Sequence, residues 1–75
     1  MELSEQAKNL KLGAYEHFKG MLVEVLGVAY DSETLEERVV YKELKDNDLW
    51  VRPLSMFLEE VEINGQKVPR FKFIK

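Results

Sequence analysis

From Tyr15 onward the hydrophobic pattern changes to a period of two, the alternation of β-strands. In MLVEVLGVAY, residues 21–30, Met21, Val23, Val25 and Ala29 fall on one face and Leu22, Glu24, Leu26 and Val28 on the other. A strand apolar on most of both sides belongs at the centre of a sheet. Gly27 interrupts it where a bulge or a close backbone approach bends a strand. RVVYKEL, residues 38–44, sets Val39, Tyr41 and Glu43 against Val40, Lys42 and Leu44. The two runs are expected to pair as a hairpin across the acidic loop DSETLEE, residues 31–37.

KDND, residues 45–48, has turn composition, and LWVR is a third short strand ended by Pro53, which lacks an amide proton. PLSMF reads as a single helical turn. FLEEVEI then runs into Asn64-Gly65, whose tolerance of positive φ predicts a two-residue type I′ turn. QKVPRFKFI returns, with Pro69 confining part of it to an edge. Residues 2–11 read as a short helix: Ser4 caps it, Leu3, Ala7 and Leu10 share a face, and Gly13 suits its stop. A helix this short either docks or frays. About five short strands behind a short N-terminal helix predict a mainly β fold, a small, partly open SH3-like barrel. Residues 1–12 form the helical extension and residues 13–75 the barrel.

A chain of 75 residues makes one small domain, burying only about 60% of the surface its unfolded form exposes. Without cysteine it has neither a disulfide framework nor a thiolate metal site. Its stability must come from the core or from self-association. The start, MELSEQAKNL, has no basic flank followed by an apolar run, and no segment reaches the roughly 18 apolar residues of a membrane span. A cytoplasmic protein without membrane contact is expected. Eleven basic against fourteen acidic residues give a net charge of −3, which argues against a general affinity for polyphosphate backbones. The signs are segregated, since DSETLEE holds only acids and QKVPRFKFIK only bases, and a local basic patch is compatible with the total.

Few residues point to catalysis. His17 is the only histidine and could act as acid, base or ligand, but a zinc site gathers several His or Cys. Ser4, Ser32 and Ser55 lie in no nucleophile elbow, and the glycines stand too far apart for a phosphate loop. Glu60 and Glu62 share a strand face, where solvated carboxylates are the commoner case. No cofactor is expected. The remaining pattern is aromatic and cationic: Tyr15, Tyr30, Tyr41 and Trp50 offer stacking faces, and Lys19, Arg52 and Arg70 lie close to an aromatic residue or a proline in sequence. A binding edge of Tyr15, His17, Lys19, Trp50, Arg52 and Arg70 is therefore expected. Within LWVRPLSMF, Trp50 and Phe57 are expected to face inward around Pro53, with Arg52 on the side of Trp50. Arg52 must then either bridge a carboxylate of DSETLEE or FLEEVEI or turn its planar fork to a ligand.

YEHFKG (15–20), VLGVAYDSET (25–34), VVYKEL (39–44), LWVRPLSMFLEEV (49–61) and NGQKVPRF (64–71) together resemble the bacterial family called domain of unknown function 1653, over about residues 14–74. The resemblance implies a small, mostly β domain and no established activity. It places Tyr15, His17, Lys19, Gly20, Trp50, Arg52, Pro53, Phe57, Pro69, Arg70 and Phe71 at the positions of the family motif. The chain departs from the pattern at Tyr30 and Asp31, where a basic residue or histidine often follows the alanine of VLGVA. The expected function is a noncatalytic binding module for a peptide, an RNA or a partner protein. The alternatives are a structural homodimer that buries an edge strand, and a small-molecule hydrolase or transferase using His17 and a carboxylate.

Overall fold

The computed structural model describes residues 2–75. In chain order its elements are α1 (Glu5–Asn9), β1 (Gly13–His17), β2 (Leu22–Tyr30), β3 (Glu37–Glu43), β4 (Leu49–Pro53), α2 (Leu54–Phe57), β5 (Glu60–Ile63), β6 (Gln66–Pro69) and β7 (Phe71–Phe73). Five strands form one antiparallel sheet in the order β4-β3-β2-β1-β7, and β5 and β6 pair as a separate hairpin. The architecture is mainly β, as expected, with seven strands rather than about five. The sheet is open, because β4 and β7 end it without pairing to each other.

Alternation decides the inner face. Tyr15 lies opposite Val23 in the β1–β2 register, Val25 opposite Tyr41 in β2–β3, and His17 opposite Phe71 in β1–β7. These side chains point to one side of the sheet, where all are buried. α2 lies over that face through Leu54 and Phe57, which are buried with them. The Phe57 ring stacks on Phe71 at 4.3 Å and meets Tyr15 edge-on at 5.3 Å. α1 adds Ala7, also buried, with Leu3 and Leu10 packed beside it. The helix therefore docks: Ser4 caps it by accepting the Ala7 amide, while its own amide and hydroxyl both donate to Glu37 at 2.7 Å.

Three local expectations change. α1 ends at Asn9, and Gly13 begins β1 instead of stopping the helix. Its φ is +130°, and a Cβ there would lie 2.5 Å from the Lys75 carbonyl oxygen, so the close approach of the C-terminus requires glycine. At Gly27 a bulge does form: the register runs from Val25↔Tyr41 to Gly27↔Val40, leaving Leu26 as the extra residue. That insertion reverses the pleat, so Val28, rather than Ala29, packs against the core. The return from the last hairpin is also split, β6 ending at Pro69 and β7 crossing to pair with β1. The Asn64-Gly65 turn behaves as expected, with φ of 51° and 80° between the paired residues Ile63 and Gln66.

Candidate functional site

β4 carries the exposed aromatic. Its register places Trp50 opposite Tyr41 and Arg52 opposite Val39, so both side chains leave the sheet on the core side. Yet Tyr41 is 6% exposed and Trp50 is 49% exposed. β4 is an edge strand, and Phe57 and Phe71 pair with Tyr41 on β3 rather than with Trp50. Trp50 thus faces the expected side without joining the core, and Phe57 packs on Tyr15, Tyr41 and Phe71 instead.

Arg52 is half-buried and lays its guanidinium over the Phe71 ring at 5.5 Å. Three of the carboxylates expected to bridge it are engaged elsewhere. In the acidic loop, Asp31 and Glu36 bind Arg38 at 3.0 and 3.2 Å, and in FLEEVEI, Glu59 binds Arg70 at 2.9 Å. Among the described residues Arg52 has no ion pair, and its Nε is buried without a hydrogen-bond partner. Leaving such a donor unsatisfied costs about 1–3 kcal/mol. Arg70, beyond its bond to Glu59, has an Nε in the same condition.

His17 is 6% exposed, wedged between Phe18 at 4.5 Å and Phe71 at 4.9 Å. Its Nδ1 accepts the Lys19 amide at 3.2 Å, which places the proton of the neutral ring on Nε2. Burial lowers its pKa, and the nearby positive charges of Arg52, Arg70 and Lys19 lower it further. Burial first, and the cationic neighbourhood second, therefore favour the neutral imidazole. Beside it runs a groove of about 510 Å³, lined by the backbone turn from Glu16 to Gly20 and by Ile63, Val68, Pro69 and Lys72.

Of the six residues expected on the binding edge, Tyr15 is a correction. It is core: its ring contacts Phe57 and Phe73, its hydroxyl donates to the Lys11 carbonyl at 2.7 Å, and burial pushes the phenol pKa up. Trp50 and His17 do not open onto one concavity, because Trp50 stands on β4 while His17 lines the groove. Arg52 meets His17's surroundings through Phe71, and the Lys19 amide bonds the imidazole directly. Phe71, which the resemblance places among the motif positions, is both a core residue and the ring that Arg52 and His17 share. The signal in the sequence was its place next to Arg70, in a segment free of acids. Glu60 and Glu62 are exposed on β5, as solvated carboxylates. Among the described residues no group of three or more His, Cys, Asp or Glu is arranged to hold a metal ion, and no helix is long and apolar enough to cross a membrane.

The family model for "Protein of unknown function (DUF1653)" matches residues 13–73. The fold is also similar to the crystal structure of a DUF1653 protein from Bordetella bronchiseptica, with a TM-score of 0.84 and 31% sequence identity over 91% of each chain. No curated protein matches. The chain belongs to the DUF1653 family.

Proposed function

We propose that this member of the DUF1653 family is a noncatalytic binding module whose open β4 edge takes an extended peptide segment of a partner protein. The observation that carries this reading is Trp50 and Arg52 on one face of the outermost strand, the indole half exposed and the guanidinium without a carboxylate. An edge strand offers unpaired N–H and C=O groups, which a peptide completes by strand addition and a nucleic acid does not. A strand laid along β4 would set its alternate side chains against Trp50 and Arg52. The net charge of −3 disfavours indiscriminate hold on a nucleic-acid backbone. His17 supports binding over the catalytic alternative, since its one hydrogen bond among the described residues goes to its own backbone turn rather than to an orienting carboxylate. A cytoplasmic setting belongs to the same reading.

The test is retention of immobilised random peptides and of a pool of single-stranded RNA, with sedimentation of the free protein alongside. Retention of peptides by a monomeric protein is expected. Retention of RNA alone, or a stable dimer paired through β4, would replace the reading with one of its alternatives.

A further inference from the structure

We infer that Arg52, together with His17, Arg70 and Lys19, forms a seat for an oxyanion, so that the bound peptide carries a carboxylate or phosphate where it crosses β4; this rests on the peptide reading above. The first support is a charge imbalance. Arg52 stands over Phe71, the ring that meets His17 edge-on, Lys19 follows His17 in the same turn, and among the described residues the one carboxylate bonded to Arg52, Arg70 or Lys19 is Glu59, on Arg70. In the acidic loop, Asp31 and Glu36 hold Arg38, and Glu37 accepts from Ser4.

The second support is the character of the polar atoms. The Nε atoms of Arg52 and Arg70 are buried donors with no acceptor. The His17 acceptor, Nδ1, is already filled by the Lys19 amide, leaving Nε2 as a donor. The unused capacity of the cluster is thus donor capacity, which an oxyanion satisfies and a neutral methyl or a cation does not.

The third support is rigidity. Arg52 rests on Phe71, which stacks on Phe57 at an interplanar angle of 7° and meets His17 edge-on at 4.9 Å. The contact holds the guanidinium in one place, and a planar guanidinium suits a two-pronged contact with an oxyanion.

Two measurements test the seat. Inorganic phosphate and acetate are titrated at ionic strength fixed with sodium chloride, while NMR follows the Arg52 Nε–H and the His17 ring. Saturable shifts are expected, with affinity weakened about tenfold or more in Arg52→Gln and partly in Arg52→Lys. Random peptides with a fixed central Asp, phosphoserine or Asn are then compared for retention. Asp or phosphoserine should exceed Asn, and their ratio identifies whether an acidic or a phosphorylated residue is the natural source. Shifts no greater than those produced by chloride would overturn the seat. So would equal retention of Asn and Asp peptides that is lost in Trp50→Ala, an outcome that leaves the peptide reading standing. Saturation by phosphate at Arg52 with no peptide retained would keep the seat and overturn the peptide reading. Should Arg52→Gln fail to fold, Arg52→Lys supplies the comparison.

Discussion

Tyr41 on β3 and Trp50 on β4 face each other across one register position and leave the sheet on the same side, yet one is buried and the other half exposed. The pair one step along repeats the contrast, Val39 being fully buried and Arg52 only partly. Alternation specifies which face a residue takes. It does not specify how completely a face is covered, and here Phe57 and Phe71 pack on Tyr41 while, on β4, Arg52 lies over Phe71 and Trp50 stays half exposed. The inner strands thus supply most of the core, while β4 keeps Trp50 half exposed and Arg52 only partly buried.

Breaking the covered side should have the largest effect. Phe57→Ala removes the ring shared by Tyr15, Tyr41 and Phe71 and should cost about 3–5 kcal/mol, read as a collapse of the urea midpoint. Next comes the hairpin away from the main sheet: Gly65 sits at φ +80°, and Gly65→Val should cost about 1–2 kcal/mol by forcing a β-branched residue there. An unchanged midpoint would remove the strict turn from the description. Trp50→Ala should cost only about 1 kcal/mol, since half of the indole already faces solvent.

A smaller effect concerns pH. The folded protein holds the His17 pKa below its ordinary 6.5, so the unfolded chain binds the proton more readily. The stability this neutral histidine contributes is complete above that value. It is lost as pH falls from 6.5 through the lower folded pKa. His17→Asn should flatten the urea midpoint in this window, and an equal slope in both proteins would contradict the buried neutral ring. Asp31 and Glu37, whose pKa values are lowered chiefly by backbone amide bonds from Thr34 and from Ser4, lose their contribution only further into acid. The smallest effect on melting is expected of Arg52→Lys, which breaks no internal ion pair and removes an unsatisfied Nε. A clear fall in its melting temperature would mean that Arg52 is tied into the fold.

Much of the fold was legible because local chemistry dictated it: the Ser4 cap, the paired faces of β2 and β3, the helical turn after Pro53 and the Asn64-Gly65 turn each follow from a few adjacent residues. What escaped depended on distance. One extra residue at the bulge exchanged Val28 for Ala29, and the Lys75 carbonyl explains Gly13, which no neighbour in sequence reveals. The site was half legible for the same reason. Residue type singled out Trp50, Arg52, Arg70, Lys19 and His17. Only the folded structure showed that Tyr15 is core, that Arg38 and Arg70 take Asp31, Glu36 and Glu59, and that Phe71 joins Arg52 to the histidine.

The most direct test of the edge strand as a recognition surface is retention of immobilised random peptides by Trp50→Ala, at a temperature where it and the parent protein are both folded. Loss of retention at nearly unchanged stability is the expected result. Full retention by folded Trp50→Ala would contradict the assignment of β4 to binding and return Trp50 to ordinary surface.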